Sequence, residues 1–410
     1  MNLFLYGPSG AGKSTLAKKL ARALNLSFID LDSEIENRSG LSIPDIFASK
    51  GESAFRLLEH ETLSTLILES VKGDSVIALG GGALLKPESR SLAESHGRVL
   101  LLTAPFEVLL KRLSESNEER PLLSSPERSA AQSKGEKLKN LLASRAEHYA
   151  SFPLQINTST TSPAKLVKRI QRELGWFHVR GMGRHGYDVR VRPGGIDSLG
   201  AMLKARGLGG PVAVVSDSNV APLYGERVLK SLADAGYSAE MVIFPAGEQN
   251  KTLETIAGFW QSFLSLGMDR KSTVVALGGG VTGDLAGYAA ASYLRGVAWV
   301  GVPTTLLAMA DSSLGGKTGF DLPQGKNLIG AFHPPHLVLA DPETLASLPQ
   351  RELRSGLAEV VKSGLIADKE LFEICRQGWE KVENRLDEIV RRSMAVKIEV
   401  IEADPYEKGF

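Results

Sequence analysis

The sequence predicts an α/β protein made of two successive strand–helix series, with the start of an α-helical region behind them. Three observations predict it. Short apolar strands alternate with helical spacing along most of the chain, which specifies parallel sheets covered by helices. One strand in each series runs straight into a glycine-rich turn, at residues 7–12 and 278–283. After about residue 350 the strands stop and helical spacing continues. The 410 residues amount to two or three domains.

In order, residues 3–6 form a strand and 13–24 a helix, with Leu16, Leu20 and Leu24 every fourth position. Strands follow at 27–31, 76–79 and 99–103, with helical segments between them. Residues 124–136 are polar, rich in Ser, Gly, Pro and charge, and read as a mobile loop. A closing helix covers 164–174, so the first domain takes residues 1–172. Gly175, Gly181, Gly183 and Gly186 crowd the next stretch with few apolar residues to pack, so 173–185 reads as a linker. The second series, 186–348, has strands at 212–215, 241–244, 273–277 and 299–302. Residues 349–410 read as part of a helical domain, with helices at 351–366 and 386–401. The triple-glycine turns at 80–82 and 278–280 have unlike neighbours and are not a repeat.

Composition narrows the function. At 43% hydrophobic and 23% charged, the chain is neither disordered, collagenous nor a disulfide scaffold. The 48 basic side chains balance 47 acidic ones, which argues against a general nucleic-acid binder. Its longest uncharged apolar-rich run, from Gly296, is broken by Pro303 and is too short for a membrane span. The N-terminus lacks a basic region and a long apolar run, so no signal peptide is expected. One cysteine, Cys375, fits a reducing compartment. The expectation is a cytoplasmic enzyme.

Gly7-Pro8-Ser9-Gly10-Ala11-Gly12-Lys13-Ser14-Thr15 matches the P-loop pattern, after a strand and opening a helix. Glycines let backbone N–H groups converge on phosphate oxygens, and the helix N-terminus adds positive potential. Lys13 can reach the β- and γ-phosphates of ATP, and Ser14 offers a hydroxyl to Mg²⁺. Asp30 and Asp32 end the second strand; Asp30 can assist Mg²⁺ or the attacking hydroxyl, and Asp32 can bind substrate hydroxyls. Asp32 also suits a helix N-cap before Ser33. Arg56 is a candidate carboxylate clamp. The glycines at 80–82 allow close backbone approach, and Arg120 precedes the loop.

Together these residues, with Arg145 in Ser144-Arg145-Ala146-Glu147-His148-Tyr149, resemble shikimate kinase over about residues 1–170. The resemblance implies that Asp32, Arg56, Gly81 and Arg145 hold shikimate. It implies that Lys13, Asp30 and Arg120 serve phosphoryl transfer and that Ser14 serves Mg²⁺. The segment after Leu123 is longer than is usual in that family. His60-Glu61 begins a zinc-protease motif that fails, since Ser64 stands where the second His belongs.

Gly278-Gly279-Gly280-Val281-Thr282-Gly283 satisfies a dinucleotide-binding pattern, but the acid expected about 20 residues on is missing. Polar signals surround it: Asp217-Ser218-Asn219, Gly247-Glu248-Gln249-Asn250-Lys251, Asp284, Asp311, Lys317 and Lys326-Asn327. With Pro303-Thr304-Thr305 and Gly356-Leu357-Ala358-Glu359-Val360-Val361-Lys362, the set resembles 3-dehydroquinate synthase from about residue 185 onward. That resemblance implies a Rossmann-like domain in which NAD⁺ contacts Glu248, Lys251, Gly280, Val281, Thr282, Gly283, Asp284, Thr304, Thr305, Lys317, Lys326 and the turn of Thr344, Leu345, Ala346 and Ser347. It implies that Lys362 and Asn327 hold the seven-carbon sugar phosphate DAHP, Lys362 also serving catalysis. Members of the family often pair, so a homodimer through this half is expected.

The family's metal, Zn²⁺ or Co²⁺, takes one glutamate and two histidines. Glu359 matches the glutamate, and the histidines are expected beyond Phe410. The sequence therefore predicts a truncated, metal-poor and inactive synthase behind an active kinase. The competing reading is a P-loop nucleotide-sensing module fused to a glycerol dehydrogenase-like NAD-binding unit.

Overall fold

The structure, a computed structural model of the chain, describes residues 2–69, 74–116, 130–183 and 186–409. The chain forms two compact units, Met1–Ile170 and Gln171–Phe410.

The first unit is built on five parallel strands: β1 (Asn2–Tyr6), β2 (Ser27–Asp30), β3 (Ser75–Ala78), β4 (Gly97–Thr103) and β5 (Gln155–Asn157), in the order β2-β3-β1-β4-β5. β1 lies between β3 and β4, with Leu3 opposite Val76 on one side and Arg98 on the other. All five residues of β1 are buried, as a central parallel strand requires. The turn leaving β1 therefore opens beside the turns leaving β3 and β4, where ligands bind in open parallel sheets. Helix Lys13–Leu24 buries Leu16, Leu20 and Leu24 and stops at Asn25, which takes a left-handed conformation. Helical residues from Ile43 to Glu69 are broken at Gly51 (φ 78°, ψ 173°). Residues 130–136, expected in a loop, belong to helix Ala130–Ser144, whose good helix formers outweigh its one glycine. Arg120 and the rest of the expected mobile loop, 124–129, lie outside the described residues.

The second unit carries a seven-stranded sheet: β6 (Trp176–Val179), β7 (Tyr187–Val191), β8 (Val212–Asp217), β9 (Ala239–Phe244), β10 (Thr273–Gly278), β11 (Ala298–Pro303) and, after the hairpin β12 (Lys317–Leu322) and β13 (Gly325–Phe332), β14 (Leu337–Ala340). The order is β6-β7-β14-β11-β10-β8-β9, parallel except for the β6–β7 pair. β6 corrects the expected linker at 173–185. Trp176, Phe177, Val179 and Met182 are all buried there, and the glycines serve as turns between paired strands. Residues 349–410 form helices Gln350–Ile366, Lys369–Arg376, Trp379–Glu383 and Leu386–Ala403. They share one hydrophobic core with the sheet: Val360, Ile374 and Ile389 pack in the same cluster as Val189 and Val338. No helix of the described residues is long and apolar enough to cross a membrane.

The β6–β7 edge is pinned by Asp188. Its carboxylate meets His178 Nδ1 at 2.8 Å, Arg206 Nη2 at 2.5 Å and Arg190 Nη2 at 3.4 Å. Burial alone would raise the Asp188 pKa, but His178, Arg190 and Arg206 outweigh it and hold the carboxyl well below the usual range. Its stabilisation is therefore complete above the unfolded carboxylate pKa of about 3.9 and is lost as pH falls below it. Asp188→Ala strands two arginines and should cost the second unit about 3–5 kcal/mol at neutral pH, read as a lowered calorimetric transition. The deficit should shrink toward pH 2; an unchanged transition at pH 7 contradicts the assignment.

Candidate functional site

The first site grows from the turn after β1. Gly7 has φ 133°, and a Cβ there would sit 2.2 Å from Leu102 O on β4. Gly12 has φ 86° and open space around it, so its need for glycine is conformational. Gly12 makes no side-chain cap for helix Lys13–Leu24, so the first-turn N–H groups face the loop, as an anion site requires. Lys13 Nζ donates to Gly7 O (2.9 Å) and Pro8 O (3.1 Å) across the loop. Ala11 is buried behind it, Gly10 rests on the helix Phe106–Glu115, and Ser14 and Thr15 are exposed at the helix start. This donor set fits a nucleotide triphosphate, with Ser14 available to Mg²⁺.

The turn after β3 gathers the remaining candidates. A Cβ on Gly80 would lie 2.6 Å from Glu59 Oε1 and 3.1 Å from Asp32 Oδ1. Gly81 O accepts from Arg145 Nη1 and Tyr149 Oη, both at 2.8 Å. A Cβ on Gly82 would meet Arg56 Nη2 at 2.6 Å. Gly81 itself abuts the phosphate loop, its notional Cβ 3.3 Å from Gly7 O and 3.6 Å from Ser9 N. The structure thus brings Asp32, Arg56, Gly81 and Arg145 together beside the loop that carries Lys13. Asp30 is the N-cap of helix Leu31–Ser39, accepting from Asp32 N at 3.2 Å. The cap lies two residues before the Asp32 alternative.

Glu59 was not anticipated. It sits one turn after Arg56 and takes its Nη1 at 2.7 Å. It is 2% exposed, and its Oε1 has no hydrogen-bond partner among the described residues. Burial pushes its carboxyl pKa up, against the pull of Arg56, with Asp32 adding to the rise. The available signal was an Arg–Glu pair three apart in a helix otherwise burying Phe55, Leu63 and Leu66.

In the second unit the glycine turn after β10 opens helix Gly280–Ser292. Thr304 N donates to Gly278 O, tying the turn after β11 to it. A Cβ on Gly279 would touch Thr305 Cγ2 at 3.1 Å, and one on Gly280 would touch Ser312 Oγ at 3.0 Å. Thr282 is buried and reaches Asp217 Oδ2 at 3.3 Å, with Val281 and Gly283 on the same first turn. Thr304 Oγ1 is buried without a partner among the described residues. An uncapped helix start, a Cβ-free turn and an orphaned hydroxyl fit a dinucleotide pyrophosphate.

Charged groups pair around a cavity of about 420 Å³ lined by Asp284, Asp311, Lys317, Asn327 and Lys397. Lys251 Nζ holds Asp284 Oδ2 at 2.6 Å and Asn327 Oδ1 at 2.5 Å. Burial raises the Asp284 pKa against the pull of Lys251. Lys326 pairs with Glu248 at 2.9 Å, and Lys317 with Glu407 at 2.7 Å. Lys397 pairs with Asp311 at 2.6 Å. Burial of Asp311 is outweighed by Lys397, with Lys362 and Lys317 assisting, so its pKa falls. Lys397 was also not anticipated. Its signal was a cation at the spacing of buried Ser393 and Ile401.

Thr344 and Leu345 turn inward, the Thr344 hydroxyl donating to Asp341 O, while Ala346 and Ser347 are exposed. Glu359 pairs with Lys362 on helix Gln350–Ile366. Among the described residues no three His, Cys, Asp or Glu side chains gather as a metal site. The residues present do not fit a catalytic metal, which typically takes three protein ligands.

These sites define a P-loop phosphotransferase unit followed by an NAD-type α/β unit. Residues 9–175 match the family model for shikimate kinase, 241–355 that for the 3-dehydroquinate synthase N-terminal domain, and 356–410 that for its C-terminal domain. The chain is a shikimate kinase domain fused to 3-dehydroquinate synthase domains. A 3-dehydroquinate synthase of Pelobacter propionicus is 47% identical over 232 residues, covering 56% of this chain and 65% of that protein. The chain thus spans less than two thirds of that relative's length. A 2-deoxy-scyllo-inosose synthase, solved with carbaglucose-6-phosphate, NAD⁺ and Co²⁺, is 30% identical with a TM-score of 0.51, covering 57% of this chain and 64% of its own. A shikimate kinase of Acinetobacter baumannii, solved with shikimate, is 33% identical over 42% of this chain and 91% of its own, with a TM-score of 0.38. The expected inactivity of the synthase half and the glycerol dehydrogenase-like alternative find no support in these matches.

If the two nucleotide sites are separate, Lys13→Met should weaken ATP binding roughly 30-fold or more and leave NAD⁺ binding unchanged. Calorimetric titration with each nucleotide reads both; wild-type ATP affinity in the variant contradicts the phosphate-loop assignment.

Proposed function

We propose that the first unit transfers the γ-phosphoryl group of ATP to shikimate, giving shikimate 3-phosphate and ADP. One observation carries this reading: Asp32, Glu59, Arg56 and Arg145 converge on the three glycines after β3, beside the phosphate loop. Shikimate is a small carboxylic acid with three hydroxyls. Two guanidinium groups match its carboxylate. The Asp32 carboxylate and the unpartnered Glu59 Oε1 match hydroxyl donors. Backbone N–H groups of Gly10, Ala11, Gly12 and Thr15, with Lys13, hold the phosphates. Mg²⁺, held by Ser14, neutralises charge between them when bound. Asp30 takes the proton of the attacking hydroxyl as its oxygen bonds phosphorus, and Arg120 balances charge on the transferred group.

Arg56→Ala should raise the KM for shikimate at least about tenfold, since a charge-assisted contact is worth about 1.5–3 kcal/mol, with little change in the KM for ATP. Gly82→Ala should act in the same direction and less strongly, by displacing the Arg56 guanidinium. A coupled assay of ADP release measures both; equal rises in the two KM values would sink the pocket.

We further propose that the second unit acts on DAHP as a 3-dehydroquinate synthase, in the cytoplasm, as a homodimer through this unit. The paired lysines and aspartates around the cavity support a phosphorylated, hydroxyl-rich substrate. Glu248, Lys251, Asp284, Thr304, Thr305, Lys317, Lys326 and the turn at Thr344–Ser347 would hold NAD⁺, which supplies a reversible hydride acceptor when bound. Asn327 and Lys362 would hold the substrate, and Lys362 would move protons. Release of inorganic phosphate from DAHP by the purified chain, and its sedimentation, test these readings.

A further inference from the structure

We propose that Tyr187 is a positioning residue for the second unit's ligand cavity, its hydroxyl fixing the turn that joins Asp311 to Lys317. This rests on reading that cavity as the NAD⁺ and sugar-phosphate site. Tyr187 stands on β7, away from the glycine turn in sequence, and is 1% exposed. Its ring packs in one cluster with Leu306, Met309 and Leu314, so it lies under the segment 306–314. Its hydroxyl accepts the N–H of Gly315 at 2.9 Å. That bond is buried, where an unpaired N–H is costly.

The turn it holds has little freedom to rearrange. Gly315 and Gly316 both have left-handed backbones, φ 88° and 63°. On the far side Gly316 O accepts from His333 N at 2.8 Å. A Cβ on Gly316 would lie 2.6 Å from Pro334 Cα, so the turn is seated directly on backbone. Tyr187 and His333 are thus two fixed points of one short turn.

What hangs from the turn is the cavity wall. Upstream, the wide helical turn Ala308–Ser312 carries Asp311, paired with Lys397, and Ser312, whose Oγ faces Gly280. Downstream, β12 begins with Lys317. Asp311, Ser312 and Lys317 all line the cavity. The Tyr187 hydroxyl touches none of the space a ligand would take, yet it sets the spacing between the Asp311 carboxylate and the Lys317 ammonium. Burial keeps this phenol protonated well above its usual range, so the tie does not titrate near neutral pH.

Tyr187→Phe keeps the ring and removes only the oxygen. The control is Tyr237→Phe, which removes a hydroxyl that donates to Leu208 O at 2.7 Å. That bond lies before β8 and β9, at the end of the sheet opposite the cavity. The full chain is followed by amide hydrogen exchange over residues 313–316 without ligand, by NAD⁺ titration and by thermal unfolding. Tyr187→Phe should speed exchange at 313–316 and weaken NAD⁺ binding, each about tenfold, the equivalent of one unpaired buried N–H. Tyr237→Phe should do neither, even if its unfolding temperature falls equally. Unchanged exchange in Tyr187→Phe overturns the proposal. So does faster exchange with unaltered NAD⁺ affinity, or an equal loss of affinity in Tyr237→Phe. A wild-type chain that takes up no NAD⁺ overturns the reading of the cavity itself and the ligand role with it; the ligand-free exchange result tells the two failures apart.

Discussion

Three consecutive glycines at the end of a parallel strand are the constraint on which both units depend. Without Cβ atoms at 80 and 82, the Glu59 carboxylate, the Asp32 carboxylate and the Arg56 guanidinium occupy the space that side chains there would take. A side chain at Gly80 would collide with Glu59, and one at Gly82 with Arg56. The glycines at 278–280 do the same for Thr282, Thr305 and Ser312. In each unit the sheet order places that segment beside a helix start, so a Cβ-free surface meets an anion-binding helix end. The fold supplies proximity; the absent side chains supply room.

The two units treat charge differently. In the first, the Arg145 guanidinium donates to the Gly81 carbonyl, and Arg56 is held by the carboxylates of Glu52 and Glu59. In the second, lysines at and beside the cavity are paired with carboxylates: Lys251 with Asp284, Lys397 with Asp311, Lys317 with Glu407. An incoming anion there must displace a carboxylate or share its lysine. A doubly charged phosphate competes for such a lysine far better than a neutral polyol, since its hydrogen bonds are charge-assisted. The pairing therefore selects for charge before it selects for shape.

Much of this was legible in the sequence because parallel strands buried on both faces read as unbroken apolar runs. β1, β8 and β10 are such runs, each leading into a polar or glycine turn. The motif residues beside those turns followed, and the structure gathers Asp32, Arg56, Gly81 and Arg145. The hairpin β12–β13 was read only as loop polarity, because β13 is mostly exposed and lacks the alternation that a core face imposes. β6 was hidden by the glycines around it, although Trp176 and Phe177 are core residues. Glu59 and Lys397 escaped for a shared reason. Each is a charged side chain inside an otherwise ordinary amphipathic helix, and its importance comes from partners far along the chain or from an environment that spacing does not reveal.

The break at Gly51 separates two jobs within what would otherwise be one long rod. Downstream, Arg56 and Glu59 are locked to each other and packed against the glycine segment. Upstream, residues 43–50 connect through a single positive-φ joint at which a Cβ would meet no neighbour within 4 Å, so the need for glycine there is conformational. The upstream turns are seated in the core, with Ile46 fully buried and the Phe47 ring 4.7 Å from that of Phe55 across the break. One residue without a side chain thus folds the upstream turns back onto the half that bears the ion pair, so the pocket's far wall and its charges share a single apolar footing.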